Sequence, residues 1–252
     1  MLDSTDSSNL DTDSVNSQAF SVPWNMRDIV FAIVVGAGVV VGLLSLIIVA
    51  LEAASLAVNA DWSQAGPGSL ILIAELGLLA PVWALGIRKY GLPWSAVGFR
   101  PFEPIQSAGL GCLFLLFAFG FNVVWALLMG MLGQVVQPDF TPLVGDTPSA
   151  LSLALIGVGV VAPIAEEVFF RGFVFAGLRQ RFRLVPALAV SAALFAVAHL
   201  TPTSWPPLFV LGVLFALLYE QTRSIWPAVI MHGLINSMAF VVIYLSQVFS
   251  IA

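Results

Sequence analysis

The sequence predicts an all-α fold, a polytopic bundle of about seven transmembrane helices, and three observations predict it. Of its 252 residues 60% are hydrophobic and only 9% charged, and the mean hydropathy is +1.01, far from the roughly 25% charged composition of soluble domains. Several apolar stretches exceed the roughly 18 residues expected of a spanning helix. Strict apolar-polar alternation is absent, which favours helices over a β-barrel. One membrane domain, residues 23–252, following a short tail is the simplest organisation.

Residues 1–22 are rich in Ser, Asp and Asn, a disordered acidic tail by composition rather than a signal peptide with its basic start. The tail's Asp3, Asp6, Asp11 and Asp13 supply much of the net charge of −5. The first span, about 29–51, follows Trp24 and Arg27, which suit an interfacial anchor. Its Gly36, Gly38 and Gly42 would admit a neighbouring helix. A second span, about 70–87, holds Glu75, and the third runs about 105–132. Between them G-L-P-W-S-A-V-G-F-R (Gly91–Arg100) has the punctuation of an irregular segment. Spans four to seven are expected at about 150–175, 185–200, 208–219 and 227–248. The single cysteine, Cys112, reads as a small buried hydrophobe.

The distribution of basic residues orients the bundle, because Lys and Arg collect on the cytoplasmic side. Arg27 precedes span one; Arg88, Lys89 and Arg100 follow span two; Arg179, Arg181 and Arg183 follow span four; Arg223 follows span six. The alternate loops, about 52–69, 133–149 and 201–207, contain no Lys or Arg. A cytoplasmic N-terminus and an external C-terminus are therefore expected. No basic patch suggests a nucleic-acid partner.

The stretch A-P-I-A-E-E-V-F-F-R (Ala162–Arg171) sets Glu166, Glu167 and Arg171 inside span four. On the translocon scale the apolar side chains there contribute about −6 kcal/mol, against about +9 kcal/mol for three central charges. Such charges should face partners or water inside the bundle. Glu167 and Arg171 are four residues apart and share a face, so they can pair. Glu166 is turned about 100° away and lacks that partner; a carboxylate held this way is what a general base needs. Pro163, one turn upstream, would loosen the helix. His199, His232 and Asn236 are polar residues in other apolar spans, the last two again sharing a face. Each alone could be ordinary interhelical bonding. Together they read as one site.

Two chemistries fit. In one, Glu166 with His199 activates a water for attack on a peptide carbonyl, and His232 with Asn236 stabilises the oxyanion. In the other, Glu166, His199 and His232 hold a Zn²⁺ whose bound water is the nucleophile. The H-E-x-x-H helix of many zinc proteases is absent. A serine mechanism is disfavoured, since Ser191 precedes His199 by two turns but no Asp lies in these spans to orient a base.

In combination, E-E-x-x-x-R at Glu166, Glu167 and Arg171, F-x-x-x-H at Phe195 and His199, and H-x-x-x-N at His232 and Asn236 resemble the ordered motifs of the CPBP family. These are the CAAX-protease and bacteriocin-processing membrane proteins, also called Abi proteins and related to type II CAAX prenyl endopeptidases. The resemblance covers about residues 150–240. It implies an intramembrane endopeptidase, multi-pass in a bacterial cytoplasmic membrane, whose partners are a peptide or membrane-protein substrate and the bilayer. Eukaryotic members of the family remove the last three residues of prenylated CAAX proteins. By similarity Glu166 and His199 would activate water, His232 and Asn236 would form the oxyanion hole, and Glu167 and Arg171 would support them. Both metal-free and metalloprotease mechanisms are held for the family; the metal-free one is the reading adopted. The rival is a non-enzymatic immunity or peptide-binding scaffold protein using the same polar cavity. A proton-relay transporter is disfavoured because the charges fall on few spans and no internal repeat is evident.

Overall fold

The structure is a computed structural model that describes residues 21–58, 75–136 and 147–250. Residues 1–20 of the expected tail, residues 70–74 of the expected second span, and the loop portions expected at 59–69 and 137–146 lie outside the described residues, whereas Val22, expected in the tail, is buried. No strand occurs among those described, and the helices form a polytopic membrane bundle. We label the helices α1 (Met26–Val58), α2 (Leu79–Arg88), α3 (Pro104–Met131), α4 (Leu151–Arg179), α5 (Leu184–Ala198), α6 (Trp205–Thr222) and α7 (Trp226–Ser250). Among the described residues five are long and apolar enough to cross a membrane, while α2 and α5 are shorter apolar helices. The expected short sixth span is a longer helix, extended by a 3₁₀ turn at Pro202–Ser204.

Helix α4 organises the bundle and is not uniform. Two π-helical segments, Gly157–Val161 and Val168–Phe175, flank the α-helical turn Ala162–Glu167. Pro163 has no N–H to offer the Gly159 carbonyl one turn back, so the regular ladder breaks where the acidic pair begins. That carbonyl abuts Gly233 of α7, where a Cβ would collide with it. The two backbones thus touch beside the residues of interest. Gly233→Val should separate α7 from α4 and destabilise the fold by about 1–3 kcal/mol, the cost of forced overpacking. Thermal unfolding in detergent would read the loss. Gly109→Ala on α3, with nothing within 4 Å of its added Cβ, should be neutral.

The segment between α2 and α3 is a brace for α4. Trp94–Val97 forms a 3₁₀ turn closed by Gly98 at φ 95°, and the Val97 carbonyl lies where a side chain on Gly172 would go. Ser224 Oγ donates to the Arg100 carbonyl (2.7 Å) and the Ile225 N–H to that of Gly98 (3.0 Å). The same ten residues therefore hold α4 and the start of α7 together. At the other face, Asp28 accepts hydrogen bonds from Lys89 Nζ (2.5 Å) and Tyr90 Oη (2.6 Å), pinning α1 to the end of α2. The bond to Asp28 raises the Lys89 ammonium above its ordinary pKa.

Three sequence expectations are corrected. Trp24 is no interfacial anchor: it is fully buried, stacked on Phe173 with ring centroids 5.0 Å apart, its indole N–H donating to the Phe173 carbonyl (3.0 Å). Cys112 is exposed, on an α3 face that also turns Leu113, Leu116 and Phe117 outward. Of the three glycines of α1 only Gly36 meets neighbours; Gly38 and Gly42 have open space around them.

Candidate active site

Arg171 is completely buried, and its two terminal nitrogens are bonded within the protein while its Nε has no hydrogen-bond partner among the described residues. Nη1 donates to Glu167 Oε1 (3.0 Å), one turn back on α4, and Nη2 donates to the Gly212 carbonyl of α6 (3.4 Å). The guanidinium carbon stands 4.3 Å from the Phe195 ring centroid and 5.0 Å from that of Phe215, so two aromatic faces carry the rest of the cation. α6 comes this close because Gly212 packs on Ala192 of α5, where a Cβ would stand 2.9 Å from the Ala192 Cα.

Glu167, also completely buried, accepts a second hydrogen bond on the same Oε1, from His232 Nδ1 of α7 (2.9 Å). A carboxylate only accepts, so Nδ1 carries a proton and Nε2 is the ring's outward nitrogen. The imidazole is held flat against Phe215, with centroids 4.9 Å apart at 20°. One turn further along α7, Asn236 Nδ2 donates to the Val158 carbonyl (2.9 Å), inside the first π segment of α4. Arg171, Glu167 and His232 therefore form one continuous polar chain across α4 and α7, with Asn236 alongside.

His199 closes α5. Leu200 follows it with φ 55°, the left-handed conformation that ends a helix. His199 Nδ1 donates to the Phe195 carbonyl (2.8 Å), which again leaves Nε2 free, and the residue is exposed. The Phe195 ring stands between the two histidines, its centroid 4.9 Å from that of His199 and 5.9 Å from that of His232. Among the described residues no hydrogen bond joins Glu166 to His199. Glu166 is only 8% exposed, and its Oε2 is buried with no hydrogen-bond partner. Ser191 is buried and donates to the Phe170 carbonyl (3.4 Å), which ties up its hydroxyl.

The structure thus joins Glu167, Arg171 and His232 directly, sets His199 across one aromatic ring, and keeps Glu166 on the adjacent position of α4. Among the described residues no three of His, Cys, Asp and Glu converge as a group able to hold a metal ion, so Glu166, His199 and His232, the ligands of the alternative zinc reading, do not fit zinc as arranged. Sequence reasoning missed the aromatic cradle of Phe215 and left Glu75 unplaced. Glu75 lies within electrostatic reach of Glu166, with a buried, unpartnered Oε2 of its own.

Buried acid, guanidinium and imidazole groups converging in a multi-pass helical bundle define an integral membrane protein with a polar site among its helices. Residues 148–238 match the family described as Type II CAAX prenyl endopeptidase Rce1-like, so the segment carrying all of these groups except Glu75 is similar to that family. It is 28% identical over 163 residues to the membrane-embedded CAAX protease MroQ of Staphylococcus aureus, covering 62% of this chain and 59% of that protein. It is 26% identical over 140 residues to the putative membrane peptidase YdiL of Bacillus subtilis, covering 49% of this chain and 57% of that protein. The chain thus matches less than two thirds of the length of either relative. No solved structure matches it.

Proposed function

We propose that the chain is an intramembrane endopeptidase that hydrolyses a peptide bond at or within the bilayer by a metal-free, glutamate-based mechanism. The observation that carries this reading is the buried, unpartnered oxygen of Glu166 beside the Arg171–Glu167–His232 chain. The CAAX-protease names of the family and relatives support it.

Glu166 takes a proton from water as the water oxygen bonds to the peptide carbonyl carbon, with His199 Nε2 accepting a hydrogen bond from the same water. The carbonyl oxygen becomes an oxyanion, to which Asn236 donates its remaining Nδ2 hydrogen. His232, held at Nδ1 by Glu167, donates to the same oxygen from Nε2 as an imidazolium, whose added proton is taken from solvent before the substrate binds and is not transferred. The proton held by Glu166 then passes to the leaving nitrogen as the C–N bond breaks. Glu167 and Arg171 fix His232 and contact no reacting atom.

The test is incubation of the purified full chain, in detergent micelles, with a peptide ending in a CAAX sequence, farnesylated or not, and identification of products by mass spectrometry. Cleavage by wild type and not by Glu166→Gln is expected. Equal product from both would overturn the assignment. A chelator should leave the rate unchanged; a loss restored by Zn²⁺ would replace this mechanism with a metal one. We further propose that the N-terminus is cytoplasmic, supported by the placement of the basic residues. A reporter fused within 133–149 should be external, and a cytoplasmic reporter would refute the orientation.

A further inference from the structure

A polar cavity lies away from the acidic pair, at the end of the bundle where α3 begins and α6 ends. It measures about 240 Å³, and Glu103, Gln106, Ser107 and Gln221 line it beside Phe102 and Leu110. That is below the roughly 300–1,000 Å³ of sites for drug-sized ligands, so it suits a small polar head. Ser107 is only 6% exposed, and its Oγ has no hydrogen-bond partner. A buried hydroxyl left so is costly, and a bound polar group would relieve it. An open cleft of about 520 Å³ shares Pro101 and Phe102 with this cavity and is completed by Phe99, Arg100 and Trp226.

Two opposite charges border these spaces without meeting. Arg100 is exposed; its Nε donates to the Ser95 carbonyl (2.6 Å), and among the described residues its two terminal nitrogens make no hydrogen bond. Glu103, three residues on and also exposed, is the N-cap of α3 yet gives that helix no side-chain hydrogen bond. Among the described residues neither forms an ion pair, whereas Arg179 and Arg223, near the same end of α6, both reach Glu220. An arginine and a glutamate this close in sequence but unpaired leave room for a ligand that carries both signs.

The depth is that of a lipid head. Two of the stretches long and apolar enough to cross a membrane start here, at Pro104 and Trp226. Phe99 stands edge to face with both Trp94 and Trp226, at centroid distances of 5.7 and 5.6 Å, and such rings collect at the headgroup level.

We propose that this is a binding site for a phosphatidylethanolamine head. Arg100 holds the phosphate, and the ammonium donates to the Glu103 carboxylate and to the oxygens of Gln106, Ser107 and Gln221. The acyl chains leave over Phe99, Phe102 and Trp226 into the bilayer. A phosphatidylglycerol head satisfies Arg100 but brings no cation for Glu103, and a choline head has no N–H to give. The Arg100 carbonyl accepts the Ser224 Oγ–H (2.7 Å), so a lipid on Arg100 also steadies the brace that joins α4 to α7. It binds whether or not the chain hydrolyses peptides.

Native mass spectrometry tests this on the purified full chain, released from mixed micelles holding equal amounts of dioleoyl phosphatidylethanolamine, phosphatidylcholine and phosphatidylglycerol. The ethanolamine lipid should be retained about tenfold over the other two, the scale of one hydrogen bond to a charged group. Glu103→Gln should lower its retention to that of the glycerol lipid, and Arg100→Gln should lower it about tenfold. Both side chains are exposed and outside any ion pair, so both variants should melt like wild type in lipid-free detergent. Added ethanolamine lipid should raise the melting temperature of wild type and not that of Arg100→Gln. Equal retention of the three lipids marks an ordinary boundary layer and overturns the site. Preference for the glycerol lipid overturns it too, as does ethanolamine-lipid retention that neither substitution changes. A farnesylated CAAX peptide whose binding falls in both variants while the lipid stays bound would give the cavity to substrate instead.

Discussion

Glu166→Gln is expected to lower peptide hydrolysis by about 10²- to 10⁴-fold, the range that a positioned proton acceptor contributes. The substitution preserves shape and removes the lone function at issue, since an amide does not take a proton from water at neutral pH. The fold should survive it. Glu166 makes no ion pair, and its Oε2 has no partner among the described residues, so replacing the acid by a neutral isostere removes a desolvated group without orphaning another. Initial rates on a CAAX peptide together with a melting curve in the same detergent check both halves. Loss of hydrolysis with an unchanged biological effect in cells would mean that peptide binding, as in an immunity protein, carries the physiological role.

The second large effect is on stability. Arg171→Ala should destabilise the bundle by about 3–5 kcal/mol, the cost of breaking a buried pair by removing one member. Arg171 and Glu167 are both completely shielded from solvent, so nothing outside the protein compensates the carboxylate left behind. The cavity between Phe195 and Phe215 adds to the loss. Removing both charges should hurt less than removing one: Arg171→Met with Glu167→Gln fills the space and retains a partner for His232. Unfolding titrations in mixed micelles measure the difference. A cost below about 1 kcal/mol for Arg171→Ala would show that Glu167 is compensated by something other than the guanidinium.

The fold was legible because membrane helices announce themselves residue by residue. Apolar length located the five long helices among the described residues, and the four-residue spacing of Glu167 and Arg171 foretold their bond, since both facts are local to one segment. What spacing along one helix does not contain is the register between helices. The partner of His232 was unreadable for that reason: it is Glu167, on another helix, and the match depends on how closely Gly159 and Gly233 let α4 and α7 approach. Hydropathy likewise does not separate a tryptophan that faces lipid from one that fills a core, which is how Trp24 came to be misplaced. Glu75 was visible as an acid in an apolar run, but its nearness to Glu166 is again a matter of register between segments.

The burial of Trp24 has a practical corollary for anyone producing the protein. Its indole covers Gly177, where a Cβ would stand 2.7 Å from the ring nitrogen, and the Val22 N–H reaches Gln180 Oε1 (3.3 Å). The strand of chain ahead of the first crossing is thus stitched to the end of the helix that bears the acids. An affinity tag or carrier joined close to position 22 would tug on that seam, so handles for purification belong upstream of a generous spacer, and trimming past Trp24 should cost solubility in detergent before it costs anything else.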